Sequence, residues 1–170
     1  MGLVNAHSLN VGDTLYDGPP VRYPPLPRFA PEHFAVVRPR DTARSKQFRR
    51  GIDLLDQEGV VQVLVSDRRG AQAPVLAAVG PMQFEVAVHR LEHEFGARPL
   101  LEPLGYSIAR RVEKPVVAAI ESKHGTEVLE RTDGTLVALF TDKWRMSTVA
   151  ADLPPGSLLP MFGGHDGAEG

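Results

Sequence analysis

No cysteine occurs in the 170 residues, which excludes disulfides and thiolate metal sites and suits a reducing compartment. Nor does any stretch approach the roughly 18 uninterrupted apolar residues of a membrane span, and the first residues lack the basic-then-apolar pattern of a secretory leader. A soluble, cytoplasmic chain with no membrane partner is the expectation. Excess charge is missing as well: 19 Lys and Arg face 21 Asp and Glu, a formal charge of -2. That balance argues against indiscriminate nucleic-acid binding and leaves only local basic patches. There is no Gly-x-x-x-x-Gly-Lys-Ser/Thr loop to cradle phosphates, so the chain should not bind or hydrolyse GTP or ATP by itself. There is no Gly-x-Ser-x-Gly elbow either, and scattered Ser, His and Asp do not make a triad without geometry. Neither a catalytic residue nor a bound cofactor is expected.

Proline, by contrast, is concentrated. "DGPPVRYPPLPRFAPEH" holds six prolines, which fix φ and remove backbone donors, so residues 18–31 read as an extended linker. Before it, residues 1–17 read as the last strands of a domain that starts elsewhere. At the other end, residues 163–170, within "GGHDGAEG", are small and polar and read as a disordered tail. The region 32–162 carries the folding signals, and it divides into 32–103 and 104–162.

The first of these halves starts with a strand in "HFAVVRPR". Asp41 or Thr42 then caps a helix with Phe48, Gly51, Ile52 and Leu55 at helical spacing, and Gly59 stops it. "VVQVLVSD" and "PVLAAVG" are β-branched runs separated by a loop. A second helix opens at Pro81 and ends at Gly96, and "RPLLEPLG" supplies a further strand. The order βαββαβ is the split βαβ of ferredoxin-like α+β folds. The second half repeats it less clearly, as βαββα with a last strand in "SLLPMF". Its hairpin carries Asp133-Gly134, which suits a primed two-residue turn.

Two motifs compete for a chemical role. "HRLEHEFG" contains His-x-x-Glu-His, the inverted zinc-protease pattern. With Phe84 at 0° on a helical wheel, Val88, Leu91 and Phe95 fall within about 40° and form the buried stripe, whereas His89 and His93 fall at about 140° and 180°. An outward pair without a third ligand or cleft does not make a zinc hydrolase, so no metal site is expected. The other motif is "RPRDTARSKQFRR", where Arg38, Arg40, Arg44, Lys46, Arg49 and Arg50 are countered only by Asp41. Such a cluster can grip phosphates by charge and counterion release, or be an ordinary solvated helix face. Without interleaved aromatics, backbone contact is favoured over base reading. His124 reads as a residue at a helix C-terminus, and Trp144 as a core or interface residue rather than a stacking platform.

Several stretches together resemble the C-terminal part of the bacterial peptide chain release factor 3 family of translational GTPases. "GLVNAHSLNVGDTL" is similar to the closing strands of that family's second, barrel domain. "RFAPEHFAVVRPRDTARSKQFRRGIDLLDQEGVVQVL" is similar to the start of its third domain, which is itself like domain III of elongation factor G. "AAVGPMQFEVAVHRLEHEFG" is the most specific: elongation factor G carries His-Leu where this chain has Gln83-Phe84. The resemblance implies translation termination, in which the complete factor uses GTP and magnesium to promote departure of class I release factors from the ribosome. It implies as partners the ribosome, through rRNA and ribosomal proteins, and the GTPase and barrel domains of the same factor. The third domain would then be a non-catalytic lever and contact surface. A free-standing RNA-binding or ribosome-associated module and an elongation factor G-like fragment are the alternatives.

Overall fold

The computed structural model describes residues 17–19, 29–66, 68–70 and 72–162. The expectations for residues 1–16, for most of the proline-rich stretch and for the tail at 163–170 lie outside them.

Strand β1 (His33–Pro39) has four consecutive buried residues, Phe34 to Val37, because both of its faces are covered. Asp41 does act as a cap, its carboxylate accepting the Ala43 N–H at 2.9 Å. A single 3-10 turn, Thr42–Arg44, comes before helix α1 (Ser45–Gln57), however. The helix buries Phe48, Gly51, Ile52 and Leu55, the stripe its periodicity announced. Gly59, at φ 72, ends it in the left-handed conformation that glycine adopts without strain.

Strands β2 (Gln62–Val65) and β3 (Val75–Ala78), helix α2 (Pro81–His93) and strand β4 (Pro99–Leu104) complete the first half. Its strands lie in the order β4-β1-β3-β2, all neighbours antiparallel, as a ferredoxin-like unit requires. Helices α1 and α2 cover one face, where Phe48, Ile52 and Leu55 meet Ala87 and Leu91. Gln83 secures the start of α2: its carboxamide oxygen accepts the N–H groups of Val79 at 2.6 Å and Gly80 at 3.1 Å, and its amide donates to the Val60 carbonyl at 3.0 Å.

The second half comprises β5 (Ile108–Val112), α3 (Lys114–Glu121), β6 (Thr126–Arg131), β7 (Leu136–Phe140) and α4 (Lys143–Ala151). Its strands run β6-β7-β5, the first unit's order without a full outer strand. The strand expected in "SLLPMF" shrinks to one bridge, where Leu159 exchanges both backbone hydrogen bonds with Arg111 at 2.9 Å. Pro160 has no N–H with which to extend the ladder. The Asp133-Gly134 turn also differs from expectation. Arg131 accepts from the Gly134 N–H and donates to the Thr135 carbonyl, both at 2.9 Å, so the loop has three residues, Thr132 to Gly134. Gly134, at φ 83, takes the left-handed position that closes such a loop.

Strand β2 also pairs with β6, Leu64 opposite Arg131 and Val65 opposite Glu130, joining both halves in a seven-stranded antiparallel α+β sheet. Alternation along the strands sorts the side chains. Val37, Val63 and Leu76 face α1 and α2, while Val128, Ala138 and Phe140 face α3 and α4. The residues between them, Phe34, Val36, Leu64, Val75, Leu129, Val137 and Leu139, form one shared cluster. The sheet is therefore folded on itself, its two helix-free faces closed together and a helix pair on each outer side.

Among the described residues, one charged side chain is buried in that interior. Glu127 is 6% exposed and receives Nε of Arg69 at 2.8 Å and Nη2 at 2.7 Å, a two-pronged pair from the β2–β3 loop to the second half. The carboxylate hydrogen bond holds Arg69 above the ordinary guanidinium value. Burial, then the negative Glu127 beside it, raises the Tyr106 phenol. Asp56 adds a second tie, accepting from the Val63 N–H and from the Thr132 hydroxyl, both at 2.9 Å.

Candidate nucleic-acid interface

All six cations of the basic segment are on the protein surface, but they do not form one patch. Arg38 comes directly after Val37 on β1, and since Val37 faces the helices, Arg38 points to the opposite face of the sheet. Its guanidinium lies 4.0 Å from the Glu102 carboxylate, both side chains more than half exposed. Such a pair contributes about 0–1 kcal/mol. Arg40 lies beyond β1 in the turn leading to Asp41, and Arg44 closes the 3-10 turn. The segment therefore changes direction before the helix begins.

Lys46, Arg49 and Arg50 are together. With Ser45, Asp53, Leu54, Gln57 and Phe95 they line an open groove of about 620 Å³ along α1, next to the C-terminal end of α2. The stripe is helical geometry: 46, 50, 53 and 57 are spaced four, three and four residues apart. Extending the Lys46–Arg50 face by one and two turns would have found Asp53 and Gln57 in the sequence. Phe95 comes from the turn that follows α2, and no local period places it beside α1. Among the described residues, no carboxylate lies within 4.0 Å of Arg40, Arg44, Lys46, Arg49 or Arg50. The groove is thus lined by three cations without a carboxylate within 4.0 Å, together with the apolar Leu54 and Phe95 and the acid Asp53. Exposed ammonium and guanidinium groups at helical spacing suit successive phosphates of a backbone. They suit GTP and magnesium poorly, because residues 40–44, Arg-Asp-Thr-Ala-Arg, provide no glycine-rich backbone cradle at the start of α1.

On α2, Leu91 is fully buried and His89 and His93 are exposed, with ring centroids 4.4 Å apart. Among the described residues, no three His, Cys, Asp or Glu side chains come together as a metal site would need. The centre of the buried stripe is Ala87, fully buried, whereas Val88 is only half-buried. Arg90 is in a carboxylate pair of its own with Glu94 and Glu58, whose hydrogen bonds raise its pKa, Glu94 first.

Two expectations about the second half are corrected. His124 is not in a helix: α3 ends at Glu121, where Ser122 and Lys123 donate back to the Ala118 and Ile120 carbonyls, and His124 is in the exposed turn between α3 and β6. Of the two places expected for Trp144, core or interface, the core is excluded. That residue is 69% exposed, because α4 turns only Val149 fully inward and leaves its first turn in solvent.

Residues 23–150 match the family model described as class II release factor RF3, C-terminal domain. This chain belongs to the release factor 3 family. The peptide chain release factor 3 of Synechocystis sp. is 40% identical over 154 residues, 89% of this chain and 28% of that protein. Those of Symbiobacterium thermophilum and Synechococcus elongatus are 40% and 37% identical, covering 91% and 99% of this chain but 29% and 31% of their own lengths. The chain spans less than a third of the length of these family members. Gln83 and Phe84, which carried the resemblance, have local structural duties: Gln83 caps α2, and Phe84 packs half-buried against the α1–α2 core. No helix among the described residues is long and apolar enough to cross a membrane.

Proposed function

We propose that this chain is the non-catalytic, ribosome-facing C-terminal region of a release factor 3. In this reading, GTP and magnesium are bound by the GTPase domain of the whole factor. The C-terminal region converts that domain's nucleotide-dependent movement into preference for one ribosomal state, promoting departure of class I release factors in the cytoplasm. The α1 groove grips rRNA backbone phosphates through Lys46, Arg49 and Arg50. The observation that supports this contact is the convergence of three cations, each without a carboxylate partner among the described residues, along one wall of an open groove.

The test has two parts. Charge reversal, Lys46→Glu with Arg50→Glu, should reduce co-sedimentation with ribosomes and flatten its salt dependence by about two phosphate contacts, with an unchanged melting temperature. Undiminished binding would remove the groove from the interface. For the family role, this region joined to the GTPase and barrel domains of a release factor 3 should support GTP-dependent recycling of class I factors on post-termination ribosomes. A well-folded but inactive chimera would reject it.

A further inference from the structure

The first turn of α4 presents Lys143, Trp144 and Arg145 in succession. Trp144 is the sole tryptophan of the chain and is 69% exposed. Across its ring, 5.3 Å from the centroid, is the Arg145 guanidinium. Gly125 makes room for that arrangement, since a methyl there would stand 3.3 Å from both Arg145 Nε and Thr141 Oγ1. The neighbouring acid, Asp142, is engaged in capping: it accepts the Arg145 N–H at 2.7 Å and the Thr141 hydroxyl at 3.1 Å. An open indole surface flanked by two cations matches a nucleobase and its phosphate, the base stacking on the ring and the phosphate meeting Lys143 or Arg145. A protein partner would call for more apolar surface around the ring. The other exposed large apolar side chains among the described residues, including Val79, Met82, Val86 and Leu100, are all outside α3 and α4.

We propose that Lys143, Trp144 and Arg145 form a stacking site for an unpaired nucleotide. The site is on the helix layer opposite the α1 groove, with the folded sheet between them. The two surfaces would therefore hold separate nucleic-acid segments rather than one continuous strand. Because Trp144 is the sole tryptophan, its own fluorescence reports occupancy. Titration of the full chain with a single-stranded RNA octamer should quench that emission saturably. A duplex of the same length, whose bases are already stacked, should act at least several-fold more weakly. By anisotropy of a labelled octamer, Trp144→Ala should weaken binding roughly ten-fold or more, while Trp144→Phe should keep most of it. The Lys46→Glu, Arg50→Glu variant should be quenched like the wild type, which separates this site from the α1 groove. Absent quenching, equal quenching by duplex, loss of quenching in the groove variant, or unchanged octamer affinity in Trp144→Ala would each overturn the proposal. If Trp144→Ala melts early, the wild-type titration still decides. Quenching by an apolar peptide but not by RNA would reassign the surface to a protein partner.

Discussion

The two halves of the sheet share an order of elements but are built to different depths. The first has two 13-residue helices and a complete fourth strand of six residues. The second has helices of eight and nine residues, and a single bridged residue in place of the fourth strand. The longer helices cover their face so closely that a methyl group on Gly51 would come within 2.6 Å of Leu91. The shorter ones leave Trp144 in solvent. The second half thus relies on its neighbour for burial: Leu129, Val137 and Leu139 gain their cover from Phe34, Val36, Leu64 and Val75. Its surface is correspondingly freer to carry contacts that packing does not dictate.

The largest expected effect breaks the better-packed half. Phe48→Ala empties a 5%-exposed position between α1 and the sheet and should cost about 3–5 kcal/mol in urea unfolding. Because the interior is shared, both halves should lose structure in one transition. Two separated transitions would refute the dependence of the second on the first. Next comes the bridge between them. Arg69→Ala leaves Glu127 charged and buried without its partner and should cost about 3 kcal/mol. Glu127→Gln should cost less, because the partly exposed Arg69 can turn toward water.

Gly51→Ala sharpens the contrast in packing. Alanine favours helix by about 1 kcal/mol over glycine, yet the methyl would collide with buried Leu91 and with Phe95. Overpacking of about 1–3 kcal/mol should win, giving net destabilisation. A gain in melting temperature would show that α2 can slide away. The smallest effect concerns Tyr106, held above its ordinary pKa by burial and by Glu127. A raised folded-state value means that its contribution is fully present below the unfolded value of about 10 and is lost as pH rises through the folded one. Alkaline destabilisation should therefore be shallower in Tyr106→Phe than in the wild type, measured by urea melts across that window.

How much of this was legible depends on distance along the chain. The α1 stripe, the alternation of β1 and the outward histidines of α2 are local periods, and they translate directly into burial. The same alternation already places Arg38 away from Lys46 and Arg50, although a count of nearby cations does not show it. The three-residue loop at Thr132 to Gly134 was partly legible, since glycine marked the left-handed position but not the loop length. The core alternative for Trp144 fails because a nine-residue helix with weak periodicity does not say which face is covered.

Apart from the strand expected in "SLLPMF" and a helix reaching His124, the elements, the ferredoxin-like order of the first half and the family can be read from the chain alone. These depend on spacing, capping and turn chemistry among near neighbours. That β2 joins β6, that the helix-free faces close on each other, and that Arg69 finds Glu127 58 residues away can be read only from the folded molecule. The same holds for which cations share the groove with Phe95 and which stand apart. The physical reason is that edge pairing and burial between distant segments are settled by complementarity in space, for which no local period in the chain exists.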